Sequence, residues 1–130
     1  MESVVSNLMK DLKLPRMFRV KQNFSTHRVE PETIPNRIET MLSEEKFASQ
    51  IQPGMRIAIT VGSRQIANVV VITKAIVDFV KSKGAEPFIV AAMGSHGGAT
   101  SEGQREVLRQ FGVTEETMGC PIKTSMEVVK

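Results

Sequence analysis

The spacing of apolar residues changes period along this chain. Residues 56–61, Arg-Ile-Ala-Ile-Thr-Val, are nearly continuously apolar. Strands buried on both faces look like this, and they belong to parallel sheets. From Ile66 the period becomes 3.6. Val69, Val70, Thr73, Ile76, Val77 and Val80 form one stripe, with Lys74, Asp78 and Lys81 opposite, which predicts an amphipathic helix. Gly84 supplies the left-handed residue that commonly ends a helix. Residues 87–92, Pro-Phe-Ile-Val-Ala-Ala, read as a second buried strand. Strand, helix, strand in this order predicts a βαβ unit with a right-handed crossover and a parallel pair.

The flanks carry weaker patterns. Val4, Val5, Leu8, Met9 and Leu12 fall on one helical stripe, which Pro15 ends. Residues 17–24 predict a short strand with weak alternation. A polar loop follows over residues 25–36, and then a helix with Ile34, Ile38, Met41 and Leu42 on one face. Pro53-Gly54 marks a turn. Downstream, Ser101 and Gln104 have the spacing of a capping box. Val107, Leu108 and Phe111 form the apolar face of the helix they open, and Gly112 ends it. Thr114-Glu115-Glu116 opens one more helical turn, and a strand begins between Pro121 and Lys130. The expected fold is α/β: an open, mostly parallel sheet with flanking helices, a Rossmann-like βαβ core. Nothing terminates the last strand, so residues 1–130 are expected to be one incomplete α/β domain.

Composition narrows the function. The chain has 130 residues, 41% apolar and 24% charged, ordinary values for a globular domain. No apolar run reaches the 18 or more residues that span a bilayer, and the first residues lack the pattern of a signal peptide. No membrane partner is expected. The 17 basic residues are interspersed among 14 acidic ones, with no basic run longer than two and no aromatic interleaving. The net charge of +3 therefore predicts no nucleic-acid partner. The single cysteine, Cys120, excludes an internal disulfide and a four-thiolate metal site. A reducing cytoplasm is the simplest setting. Cys120 has no basic sequence neighbour to favour a thiolate, so it reads as a small buried apolar residue.

Two segments carry candidate chemistry. Gly62-Ser63-Arg64 follows the first buried strand, and Met93-Gly94-Ser95-His96-Gly97-Gly98-Ala99-Thr100 follows the second. Both sit at carboxyl ends of parallel strands, where ligands of open α/β sheets bind. If the strands are neighbours, their ends lie about 5 Å apart, and if one strand separates them, about 10 Å, so Arg64 and His96 can converge on one ligand. The glycines allow positive φ and close backbone approach, and amides ahead of a helix favour an anion. The loop matches neither the Walker nor the dinucleotide fingerprint. Phosphate binding and a plain strand–helix connector stay open on composition alone. His96 lies in this loop rather than on an apolar face, which suits proton transfer near neutral pH. Arg64 can hold a carboxylate or phosphate through two bonds. Ser63 either donates to the same anion or caps the next helix, and without an adjacent base in sequence it does not read as a nucleophile. His27, in a polar loop without a motif, reads as a surface residue.

The run Ile57-Ala58-Ile59-Thr60-Val61-Gly62-Ser63-Arg64-Gln65-Ile66-Ala67-Asn68, followed by Ala92-Met93-Gly94-Ser95-His96-Gly97-Gly98-Ala99-Thr100-Ser101-Glu102-Gly103-Gln104, resembles the lactate racemase family. Phe18-Arg19-Val20-Lys21-Gln22-Asn23-Phe24 is similar to one branch of that superfamily, and the similarity runs over essentially the whole chain. The resemblance implies a two-domain α/β enzyme that racemises or epimerises a 2-hydroxy acid. Its cofactor is a nickel-pincer nucleotide derived from nicotinic acid. The cofactor's pyridinium accepts a hydride from the substrate carbon while a histidine removes the hydroxyl proton, and the hydride returns to the other face. By position, His96 matches one of two catalytic histidines, Arg64 an arginine of the cofactor and substrate site, and Ser63 the hydroxyl residue before it. Gly94, Ser95, Gly97 and Gly98 complete the implied cofactor-binding set. Val61 stands where lactate racemases have an aspartate, and Gln65 where they have a proline.

The cofactor-anchoring lysine, the nickel-binding histidine and the second catalytic histidine belong to a later region of the family. No metal ligand is therefore expected in this chain, which reads as the amino-terminal portion of a larger two-domain protein, inactive by itself. The expected ligand is a small 2-hydroxy acid or another small anion, and an unfinished sheet is expected to favour a homo-oligomer. The alternatives are a non-catalytic phosphate- or nucleotide-binding α/β module and an interaction domain without a ligand.

Overall fold

A computed structural model describes residues 4–13, 16–24, 28–64 and 66–127. The fold is the expected α/β type. Three parallel strands, β1 (Arg56–Val61), β2 (Glu86–Ala91) and β3 (Ile122–Lys123), pair in the order β1-β2-β3. The register sets Ile59 against Ile89, and Ile89 against Ile122. The helices are α1 (Val4–Met9), α2 (Ile34–Leu42), α3 (Glu45–Ala48), α4 (Val69–Ser82), α5 (Ser101–Gln110) and α6 (Glu115–Met118).

The core follows from strand alternation. Ile59 and Val61 of β1, Ile89 of β2 and Ile122 of β3 point to one face of the sheet, where they meet Val77 and Val80 of α4, Leu108 of α5 and Met118 of α6 in one cluster. Val77, Ile89, Leu108 and Met118 are completely buried. Full burial of each such side chain stabilises by about 1.5–3 kcal/mol. The periodic stripe of α4 is the reason it covers this face. Gly84, with φ +74, ends the helix region as expected and brings the chain into β2.

Four expectations change. β1 is not buried on both faces: Ala58 and Thr60 are exposed and alternate with the buried Ile59 and Val61. All covering helices of the core cluster lie on one side, so small and hydroxyl-bearing side chains face outward on the other. Residues 17–24 belong to no helix or strand. Phe18, Val20 and Phe24 are 82%, 88% and 75% exposed, because no neighbouring strand pairs with them. In α1, Val4, Leu8 and Met9 stay exposed too, so the stripe there finds no surface to cover. The cap of α5 is Thr100, not Ser101: the Thr100 hydroxyl accepts from the Gly103 amide at 3.0 Å. Ser101 instead bonds Thr124. The pair that does form a capping box is Thr114 and Thr117 at the start of α6. Pro15 and His27 lie outside the described residues.

Candidate functional site

Two loops leave the carboxyl ends of adjacent parallel strands. Beyond the β2 ladder, the Ala92 amide still donates to the Val61 carbonyl at 2.9 Å, which keeps the loops side by side as they diverge. After β1 the chain passes through Gly62 to Ser63 and Arg64. After β2, Met93 turns into the core, Gly94 takes φ +57, and the His96 amide closes a turn onto the Met93 carbonyl at 3.1 Å. The buried Met93 thus anchors the turn that presents His96.

The two loops meet through side chains. Ser63 Oγ lies 2.5 Å from His96 Nδ1, across 33 positions of sequence. Two hydrogen arrangements fit this contact. Either the Ser63 hydroxyl donates to Nδ1, or Nδ1–H donates to Ser63 Oγ and leaves Nε2 as a free base. A small open cleft of about 360 Å³ surrounds the pair, lined by Gly62, Ser63, Arg64, Ile66, Met93 and His96. Arg64 and His96 are both exposed. The cleft therefore combines a guanidinium, a hydroxyl and an imidazole against the apolar wall of Ile66 and Met93. It can take a small anion and exchange a proton with it.

The glycine loop contributes differently from the expectation. Gly94, Ser95, Gly97 and Gly98 do not line this cleft. Gly97 is required by packing: a β-carbon there would overlap the backbone of Gly103 in α5. Gly94 and Gly98, with φ of +57 and +66, have open space where a β-carbon would stand. Gln104, expected as the partner of Ser101 in a capping box, serves the loop instead. It is almost fully buried, and its Nε2 donates to the Gly94 carbonyl at 2.9 Å. A glutamine at the i position of a 104, 107, 108, 111 stripe was the available signal.

No family model, no curated protein and no solved structure matches this chain.

The cleft does not supply the donors of a nickel-pincer nucleotide. It contains no lysine and only one imidazole, and the described residues hold no group of three or more His, Cys, Asp or Glu side chains fit for a metal. Cys120 is buried as expected, and burial pushes its thiol above the ordinary range, which disfavours the thiolate. A larger, mostly apolar groove of about 1320 Å³ lies between α2 and α4, lined by Ile34, Ile38, Met41 and Ile72 among others. Arg28, Glu30 and Arg37 also line it, and no histidine, serine or cysteine is among its described lining residues. Among the described residues no helix is long and apolar enough to cross a membrane.

Proposed function

We propose that this chain provides the carboxylate-binding and proton-transfer side of an isomerase, the amino-terminal part of a racemase or epimerase of 2-hydroxy acids. The convergence of Ser63, Arg64 and His96 at the ends of β1 and β2 supports this reading. Arg64 holds the substrate carboxylate through charge-assisted hydrogen bonds. His96 accepts the hydroxyl proton through Nε2 when Ser63 accepts from Nδ1–H. The size of the cleft suits a small acid. The nickel-pincer cofactor implied by the resemblance finds no anchoring side chain in the cleft, so no step is assigned to it. Its lysine and nickel-binding histidine belong to residues other than those that line the cleft.

The test is an NMR titration of the chain with glycolate, lactate and malate. At least one acid is expected to shift the Arg64 and His96 signals together, and Arg64→Gln is expected to weaken that binding tenfold or more. Absence of any shift at these residues up to tens of millimolar acid would discard the reading. In an intact cofactor-loaded enzyme, His96→Ala is expected to abolish isomerisation.

A second reading, phosphate held on the glycine loop without catalysis, is favoured by the open space over Gly94 and Gly98 ahead of α5. Inorganic phosphate would then slow hydrogen exchange of the 94–100 amides, and His96→Ala would leave that protection intact.

A further inference from the structure

We infer that Ser63 is an acyl-accepting nucleophile and His96 its general base, so that the cleft transfers a short acyl group from an activated ester to water. A serine hydroxyl is a weak nucleophile until a base takes its proton. The sequence offers no base beside Ser63. The fold supplies one from 33 positions away, with His96 Nδ1 at 2.5 Å from Ser63 Oγ, close enough for direct proton transfer. Both residues stand where a substrate arrives: Ser63 is half-buried, His96 is exposed, and both line the open cleft. Both are also held in place. The His96 amide donates to the carbonyl of the buried Met93 at 3.1 Å. The Ala92 amide donates to the Val61 carbonyl at 2.9 Å, which keeps the two loops in register just before they diverge.

This activity goes beyond the isomerase reading. It draws on the other hydrogen arrangement, in which Ser63 donates and Nε2 carries the ring proton, and it uses no residue outside the cleft. Ser63 Oγ bonds to the ester carbonyl carbon as its proton passes to Nδ1. Arg64, in the same cleft, brings positive charge to the anionic tetrahedral intermediate. That intermediate collapses by breaking the bond between the carbonyl carbon and the alcohol oxygen, and the alcohol leaves with the proton from Nδ1. Water then gives a proton to Nδ1 and attacks the acyl-serine. The bond from Oγ to the acyl carbon breaks, the acid departs, and the proton returns to Oγ. Water is the only co-reactant. A cleft of about 360 Å³ restricts the acyl group to a short chain.

The experiment has two readouts, on the wild-type chain, Ser63→Ala and His96→Ala. An alkyl fluorophosphonate, which loses fluoride to an activated serine, is mapped on the chain by mass spectrometry. Turnover of p-nitrophenyl acetate is followed by release of p-nitrophenolate. Neither side chain belongs to the core cluster, so both variants are expected to keep the wild-type circular dichroism spectrum. The wild type is expected to carry the phosphonyl group on Ser63, and His96→Ala to acquire it about a hundredfold more slowly or worse. Ester turnover is expected to fall by a similar factor in both variants. Absence of the adduct from Ser63 overturns the inference, and so does labelling at an equal rate in His96→Ala. Turnover that survives Ser63→Ala also overturns it, because the imidazole or a lysine then reacts without the serine. Such a failure leaves the isomerase reading standing, since there Ser63 only accepts from Nδ1–H.

Discussion

Gly97 and Gly103 touch backbone to backbone where the glycine loop turns onto the first turn of α5. A β-carbon on Gly103 would overlap the Gly97 carbonyl, and one on Gly97 would overlap the Gly103 backbone. This contact seats the segment that follows His96, and it accounts for two glycines without a ligand. Gly97→Ala meets both the overlap and a φ of +68, so it is expected to cost roughly 2–4 kcal/mol. Gly98→Ala meets open space and bears only the left-handed strain, about 1–2 kcal/mol. Ala99 itself sits at φ +55, and Ala99→Gly is expected to be neutral or stabilising by up to about 1 kcal/mol. Urea unfolding of the three variants checks the order.

Leu108 joins α5 to the sheet, and none of its surface is exposed. Leu108→Ala is expected to cost about 2–5 kcal/mol. Leu8 carries the same side chain at 73% exposure, so Leu8→Ala should stay within about 0.5 kcal/mol. Equal losses in thermal or urea unfolding would mean that α1 packs on the core after all.

What was legible in the sequence followed from local period. The 3.6-residue stripe from Val69 to Val80 and the two apolar runs around it defined α4, β1 and β2 to within a residue or two. The covered face of the sheet was not legible, because Ala58 and Thr60 interrupt β1 too mildly to separate a one-sided strand from a two-sided one. The strand expected over residues 17–24 lacked a partner, which no local pattern supplies. Ser63 and His96 were each singled out, but their direct contact depends on the β1–β2 register across the sheet. The glycines were the least decipherable: Gly97 looks like a ligand-binding residue until Gly103 is seen against it.

Glu115 couples α6 to the entry of β3. Its Oε1 accepts from the Ile122 amide at 3.0 Å and from Arg105 at 3.3 Å. The amide bond first, and then the Arg105 guanidinium, hold its carboxyl below the ordinary carboxylate value. A depressed folded-state pKa stabilises fully above the unfolded value, and that contribution is lost as pH falls through the folded value. Unfolding midpoints in urea, measured from pH 7 down to pH 3, should fall less steeply for Glu115→Gln than for the wild type. Parallel curves would show that the carboxylate contributes nothing.

The proton on His96 decides what the Ser63 contact is for. If His96 is a base toward a substrate hydroxyl, Nε2 must be free, and Nδ1–H must donate to Ser63 Oγ. Long-range proton–nitrogen correlation spectra of the neutral imidazole should then show the Nδ1–H tautomer in the wild type. Ser63→Ala removes the acceptor and should shift the ring toward the Nε2–H form, while Ser63→Thr restores the wild-type tautomer. A single hydrogen bond between exposed groups is worth about 1 kcal/mol or less, so the unfolding midpoint should move little while the tautomer changes. A wild-type ring already protonated on Nε2 would make Ser63 the donor and His96 a hydrogen-bond donor to the ligand. Proton abstraction through Nε2 would then have to be given up.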